Sequence, residues 1–175
     1  MKNNWYVITG APCSGKTTLL QELEKKGYKV FYEWARIYID QEIKKGKTLA
    51  QIRKNELDFQ RKILQLKVAF EKKLNKKNLV FMERGIPDST AYFDLITKKN
   101  ILLKKSLKKS YYKKIFLLEL LDYQIDYART ESHEQAKSLE NLLEKSYVEL
   151  GLEVVRIPKM PLKKRTKLLL SYVKE

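Results

Sequence analysis

The sequence predicts an α/β fold in three layers, in which a five-stranded parallel sheet carries helices on both faces. Five short apolar runs, rich in β-branched and aromatic residues, alternate with segments of helical spacing. A glycine-containing loop at residues 10–17 joins the first apolar run to the first helical segment. Because no internal repeat or Gly/Ser linker interrupts the 175 residues, we expect a single domain over residues 1–175.

The first half of the chain is predicted to contain two strands and three helices. The first strand covers residues 4–9, and the helix after the loop covers 17–26, where Gly27 ends it. A second strand at 28–32 precedes a helix at 34–45. Thr48 is predicted to cap one long helix to about residue 75, whose apolar residues recur every three or four positions.

The second half continues the same alternation. A third strand at residues 78–82 precedes a helix at 87–97, with Pro87 in its first turn. The fourth strand is predicted at 115–118. Ser132 and Gln135 resemble a capping box for a helix that runs to residue 150. A fifth strand at 152–157 and a helix at 161–173 complete the fold.

The net charge of +16 indicates attraction to polyanions or phosphorylated ligands. Of the 37 basic residues 30 are lysines, whereas specific phosphate recognition favours arginine. We therefore interpret the lysine excess mostly as solvated surface, so nucleic-acid binding is an alternative that composition does not favour. The excess is concentrated at residues 98–114 and in a C-terminal run of Lys159, Lys163, Lys164, Arg165 and Lys167.

Other features predict a cytoplasmic protein. No stretch approaches the roughly 18 apolar residues of a membrane span. The first ten residues form a strand-like run without a cleavage site, so we expect no signal peptide. A single cysteine excludes an internal disulfide and suits a reducing compartment.

The loop at residues 10–17 reads GAPCSGKT and matches the phosphate-loop pattern G-x-x-x-x-G-K-[ST]. Two glycines let successive backbone N–H groups turn towards phosphate oxygens, and the next helix presents its N-terminus to the anion. The lysine reaches the β- and γ-phosphates, and the threonine hydroxyl after it ligates Mg²⁺. The pattern predicts ATP or GTP with Mg²⁺, bound by Gly10, Pro12, Cys13, Ser14, Gly15, Lys16, Thr17 and Thr18.

Two glutamates follow predicted strands at the edge where parallel sheets bind ligands. Glu33 follows the second strand, with Arg36 three residues later, and Glu83 follows the third strand, with Arg84 next to it. Such carboxylates hold Mg²⁺ or accept a proton from an attacking hydroxyl, and the arginines neutralise phosphate or hold an acceptor. Asp88 is assigned to the substrate side, with capping of the following helix as the alternative.

Residues 122–133 are predicted to form a short lid. Phosphoryl-transfer sites need extra positive charge on the transferred group, often from a mobile segment that also excludes water. Arg129 is the only arginine between Arg84 and Arg156, and it lies in an acidic stretch. We predict that Arg129 closes over the transferred group. An ion pair at the surface with Asp126 or Glu131 is an alternative of equal weight.

Taken in order, these motifs resemble the NadR-like P-loop domain and, more broadly, nucleoside and nucleotide kinases. They are GAPCSGKTT, FYEWAR, FMERGIPDSTAY, IFLLELL, YARTESHEQAKSLENLL and LEVVRIP, and they span residues 4–173. The resemblance implies a P-loop NTPase fold with strand order 2-3-1-4-5.

The resemblance also implies roles for residues. It gives Lys16 and Thr17 the phosphate and magnesium roles, Glu33 and Arg36 the acceptor side, and Arg129 the lid position. Glu83 stands where the family usually has Asp, so magnesium would be shifted or bridged by water. The NadR kinase domain normally accompanies an adenylyltransferase domain, which this sequence does not contain.

Three functions are consistent with this reading. The first is a small-molecule kinase in which Glu33 accepts the proton of a nucleoside-like acceptor, while Lys16, Arg129 and Mg²⁺ neutralise charge. The second is an NTP-binding or hydrolysing regulatory ATPase or GTPase without a small acceptor. The third is a nucleic-acid-associated kinase or ATPase, which requires the basic segment 98–114 to continue into the cleft.

Overall fold

Five parallel strands form one sheet in the computed structural model, which describes residues 3–97, 112–121 and 133–173. The strands are β1 (Trp5–Thr9), β2 (Lys29–Phe31), β3 (Val80–Glu83), β4 (Lys114–Leu118) and β5 (Val154–Ile157). They lie in the order β2-β3-β1-β4-β5, and every neighbouring pair is parallel. The predicted fold class and strand order are confirmed.

Helices cover both faces of the sheet and make three layers. In chain order they are α1 (Lys16–Lys25), α2 (Trp34–Lys44), α3 (Leu49–Ile52), α4 (Glu56–Lys73), α5 (Asp88–Thr97), α6 (His133–Val148) and α7 (Leu162–Ser171). Helices α1 and α7 pack together on one face, whereas α4, α5 and α6 pack side by side on the other. The alternation of strand and helix in the sequence produces this arrangement, because parallel neighbours need a crossover connection.

The prediction of one helix over residues 48–75 is wrong, because the structure contains two. Thr48 caps only the short α3, through a capping box with Gln51. Asn55 then accepts a hydrogen bond from the Asp58 backbone N–H at 3.2 Å and starts α4. Asn favours such non-helical cap geometry, so the second capping signal divides the segment. Ile52, an apolar residue of the predicted long helix, is the last residue of α3.

The core forms because alternate residues of each strand face opposite layers. Tyr6 and Ile8 of β1 pack with the buried leucines of α1, and Trp5 and Val7 pack on the opposite face. Each such side chain contributes about 1.5–3 kcal/mol when fully buried. The register places Ile8 beside Glu83, so the loops that follow β1 and β3 leave the sheet side by side.

Two predicted surface features fall wholly or mainly outside the described residues. The first is the basic segment 98–114, of which residues 98–111 lie outside the described ranges. The second is the predicted lid, of which residues 122–132, including Arg129, lie outside them. Within the described ranges, no helix combines the length and apolar character needed to cross a bilayer.

Candidate active site

The phosphate loop leaves β1 through a backbone that only glycine accommodates. Gly10 has φ of 142°, and a Cβ atom there would lie 2.5 Å from the Leu118 carbonyl oxygen. Gly15 has φ of 81° and stands at the N-cap of α1. The loop is therefore held close to the end of β4, and α1 points its N-terminus into the loop.

Lys16 is buried inside this loop. Its ammonium donates to the Ala11 carbonyl at 2.9 Å and to Ser14 Oγ at 3.4 Å. Burial, together with the positive charge of Arg84, lowers the pKa of Lys16 to about 8, although the carboxylates of Glu33, Glu83 and Asp88 oppose the shift. The lysine is thus poised to lose its charge only slightly above neutral pH.

Thr17 and Glu83 bring a hydroxyl and a carboxylate together at the start of α1. The Thr17 hydroxyl lies 3.1 and 3.2 Å from the two carboxylate oxygens of Glu83, the last residue of β3. Burial raises the pKa of Glu83, and the negative charge of Glu33 raises it further, while Lys16 and Arg84 counteract both. A hydroxyl beside a carboxylate is the oxygen donor set that Mg²⁺ prefers, so these residues fit a magnesium ion.

Arg84 links the acidic residues that follow β2 and β3. Its Nε donates to Glu33 at 2.9 Å and its Nη1 donates to Asp88 at 3.2 Å, while the guanidinium lies 5.2 Å from the Tyr92 ring centroid. The backbone of Arg84 has φ of 63°, a value that residues other than glycine rarely adopt unless fixed contacts such as these hold them.

Glu33 remains partly accessible although it is bound to Arg84. Its side chain is 28% exposed, compared with 4% for that of Arg84. Burial raises the pKa of the Glu33 carboxyl, but the charges of Arg84, Lys16 and Lys67 outweigh it, so the pKa lies below the usual value. Glu33 is therefore ionised at neutral pH and can accept a hydrogen bond or a proton.

Asp88 lies beneath this group and has no exposed surface. One carboxylate oxygen accepts from Thr9 at 2.5 Å and from Arg84, and the other accepts from the Gly85 N–H at 2.9 Å and from the Tyr147 hydroxyl. All of these partners are protein groups. The geometry therefore favours a role for Asp88 in positioning Arg84, rather than the predicted contact with substrate.

Helix α4 adds two polar residues that were not predicted, the buried Lys67 and the partly buried Glu71. Lys67 donates to the Gly85 carbonyl at 3.0 Å and to Ser89 Oγ at 3.3 Å. Glu71 accepts from the Tyr112 hydroxyl at 2.6 Å, and burial raises the pKa of Glu71 to about 7 despite this bond and the charge of Lys67. A signal was present for Lys67, because it follows the buried Ile63 by four residues on the same helix face.

The structure brings together six of the predicted site residues: Lys16, Thr17, Glu33, Glu83, Arg84 and Asp88. Arg36 is exposed in the first turn of α2, and Thr18 is exposed on α1. Ser14 is buried, whereas Pro12 and Cys13 are partly buried in the loop. Arg129 lies outside the described residues.

Comparison with known proteins places the chain in a family. A sequence model of the AAA domain family matches residues 5–165. No curated protein matches the chain.

Several solved structures share the fold at low sequence identity. A crystal structure of NadR protein in complex with NR aligns with a TM-score of 0.74 at 16% identity, over 98% of this chain and 52% of that one. Thymidylate kinase from Ehrlichia chaffeensis aligns over 100% of both chains, with a TM-score of 0.68 and 12% identity. Deoxyadenosine kinase from M. mycoides aligns over 97% of this chain and 98% of that one, with a TM-score of 0.64 and 14% identity.

This chain spans about half the length of the NadR chain that it matches. The likeness to the two kinases, in contrast, extends over nearly the whole of each chain. Since the family model matches residues 5–165, which is most of the chain, the chain belongs to the AAA domain family, and it has the P-loop fold of nucleoside and nucleotide kinases.

Proposed function

We propose that residues 1–175 act as one phosphotransferase domain that moves the terminal phosphoryl group of ATP, or GTP, to a hydroxyl of a small nucleoside-like acceptor. One observation carries the proposal: the ionised, partly exposed carboxylate of Glu33 is held by Arg84 at the edge of the sheet that also presents Lys16 and Thr17. A plain phosphate-binding loop has no need of such an oriented carboxylate.

The proposed division of labour follows from the contacts. Lys16 and the backbone of the phosphate loop bind the β- and γ-phosphates. Thr17 and Glu83 hold Mg²⁺, which supplies charge neutralisation on the phosphate oxygens. Glu33 orients the acceptor hydroxyl and takes its proton, and Arg84 keeps the carboxylate in place and ionised. Arg36 and Arg129 are proposed to contact the acceptor and the transferred group, respectively.

The accessibility of Glu33 supports a kinase over a nucleotide switch without an acceptor. If side chains filled the space around Glu33 and Arg36, an acceptor would have nowhere to bind. Instead Glu33 is 28% exposed at its side chain, and Arg36 is exposed one turn later. One similar kinase is named for a nucleoside, deoxyadenosine, and another for a nucleotide, thymidylate, which supports an acceptor of nucleoside or nucleotide type for this chain.

The test is nucleotide turnover with a panel of nucleosides and nucleoside monophosphates. We expect the wild type to consume ATP or GTP faster with one acceptor class, and Glu33→Gln to lose at least about a hundredfold in kcat while still binding nucleotide. Asp40 is an exposed carboxylate on α2, the helix that follows Glu33, so Asp40→Asn is the matched control and should retain activity. Turnover that ignores every acceptor, or an active Glu33→Gln variant, contradicts the proposal.

A further inference from the structure

Arg165 on α7 is buried against the phosphate loop, although the C-terminal basic run that contains it was interpreted as solvated surface. That interpretation is wrong for Arg165, which is 2% exposed, while Lys163, Lys164 and Lys167 around it are exposed. The helix turns Arg165 inward together with Thr166 and Leu169, because these residues form the face of α7 that packs on the sheet.

The guanidinium of Arg165 donates to three backbone carbonyls from separate parts of the chain. These are Ser14 in the phosphate loop at 2.5 Å, Glu119 after β4 at 2.7 Å, and Pro158 after β5 at 2.9 Å. The planar fork of arginine suits three acceptors in different directions, which a lysine ammonium on a flexible stem does not reproduce. Arg165 thereby ties the phosphate loop to the ends of two neighbouring strands.

The bond to Ser14 constrains the peptide that joins Ser14 to Gly15. In a trans peptide the carbonyl and the N–H point in opposite directions across one rigid plane. Since Arg165 holds the Ser14 carbonyl on the α7 side, the Gly15 N–H is directed to the opposite side. Gly15 stands at the N-terminus of α1 in left-handed conformation, where the backbone N–H groups of the motif bind phosphate.

We propose that Arg165 is a positioning residue for nucleotide phosphates, acting through the Ser14–Gly15 peptide without touching the ligand. It also places a buried positive charge behind the loop, which favours an anion in front of it. Among the described residues, no carboxylate lies within ion-pair distance of Arg165, and its hydrogen bonds go to carbonyls. The inference rests on the proposed nucleotide binding and assigns that site a component from the far end of the chain.

The test compares affinity for MgATP and MgGTP with stability in four proteins. Arg165→Ala should weaken binding about tenfold or more, since it removes a charge-assisted bond that fixes the loop. Arg165→Lys keeps the charge but not the fork, so it should weaken binding less. Leu169→Ala, a fully buried residue one turn along α7, should lower the melting temperature and leave the dissociation constant within about twofold of the wild type.

The kinetic readout separates positioning from general damage. In the phosphotransfer assay, Arg165→Lys should raise KM for the nucleotide more than it lowers kcat, whereas Leu169→Ala should change neither beyond its loss of folded protein. Wild-type and Arg165 variants that bind nucleotide equally well would overturn the inference and leave the proposed function intact. A wild type that binds neither nucleotide would overturn both. If Arg165→Ala does not fold, Arg165→Lys decides the outcome by the same criteria.

Discussion

Replacing Asp88 with Asn tests the contact network beneath the active site with a nearly isosteric change. The carboxylate has no exposed surface, and each of its oxygens accepts two hydrogen bonds. An Asn side chain has one oxygen and one NH₂ group, so either orientation turns a donor towards two existing donors. Thr9 and Tyr147 can rotate their hydroxyls, but the N–H groups of Arg84 and Gly85 are fixed. One of these two therefore loses its acceptor.

The expected loss follows from the charge and the burial of the group. Removing one member of a buried ion pair costs about 3–5 kcal/mol, and an orphaned buried N–H costs about 1–3 kcal/mol. These two costs overlap when the orphaned N–H is that of Arg84, and Arg84 keeps its bond to Glu33 in either case. We expect Asp88→Asn to lower the free energy of unfolding by about 3–5 kcal/mol. With a urea m value of about 2 kcal/mol per M, the midpoint falls by about 2 M.

Urea denaturation followed by circular dichroism measures this difference directly. Asp40→Asn, on the exposed side of α2, is the control and should stay within about 0.5 kcal/mol of the wild type. A double-mutant cycle with Tyr147→Phe should show coupling of about 1 kcal/mol, because the Tyr147 hydroxyl donates to Asp88. A loss below about 1 kcal/mol for Asp88→Asn would refute the reasoning, since the carboxylate charge would then carry little of the network.

Three further predictions concern titration and magnesium. Because the pKa of Lys16 is lowered to about 8, the dissociation constant for ATP should rise about tenfold per pH unit above pH 8. Calorimetric titrations measure this, and the control Lys164→Ala should show the same slope. A dissociation constant that stays unchanged up to pH 9.5 would contradict the prediction. The pKa of Glu71 is raised from 4.5 to about 7, so its stabilising protonated state is lost as the pH rises through 7. Between pH 4 and pH 9 the free energy of unfolding of the wild type should therefore fall by about 3 kcal/mol relative to that of Glu71→Gln, as measured by urea denaturation. Equal profiles for the two proteins would disprove it. Thr17→Ala should abolish most of the gain in nucleotide affinity on adding Mg²⁺, whereas Thr17→Ser should keep it; an unchanged gain in Thr17→Ala would exclude Thr17 as a ligand.

Local patterns predicted the fold well, because each strand and helix carries its own signal. Strand–helix alternation predicted the parallel sheet, and the phosphate-loop motif predicted the junction of β1 and α1. The prediction of one long helix at residues 48–75 was wrong because the apolar residues keep their helical spacing across the break between Ile52 and Glu56. The spacing of apolar residues contains no information about a capping residue in the middle of the segment. The start of a new helix is indicated only by Asn55 itself, a residue type that favours the N-cap.

The site was predictable where its residues lie at strand ends or in the phosphate-loop motif, and was missed where they lie within α4 and α6. Glu33 and Glu83 follow or end strands, and the topology of a parallel sheet brings such positions together. Lys67 and Tyr147 reach the same network from α4 and α6. Their contribution depends on how those helices pack across the sheet, which no local spacing specifies. Asp88 was identified as a site residue, but only its burial indicates a positioning role.

Arginine in this lysine-rich chain illustrates why composition alone cannot locate the site. Arg84 and Arg165 are buried and each bonds in several directions, whereas Arg53 and Arg156 form ion pairs at the surface. All four are arginines in a background of 30 lysines, so rarity does not separate them.

What distinguishes Arg165 from the other three is that its partners are backbone carbonyls, whereas the other three pair with carboxylates. Arg53 pairs with a carboxylate three residues away, and Arg156 with carboxylates up to 37 residues away. Arg165 bonds to a carbonyl 151 residues away in the phosphate loop. A backbone carbonyl exists at every residue and leaves no mark on the sequence, whereas a carboxylate does. The phosphate loop is therefore stabilised by a residue that its motif cannot reveal, and this residue becomes identifiable only when the C-terminal helix is packed against α1.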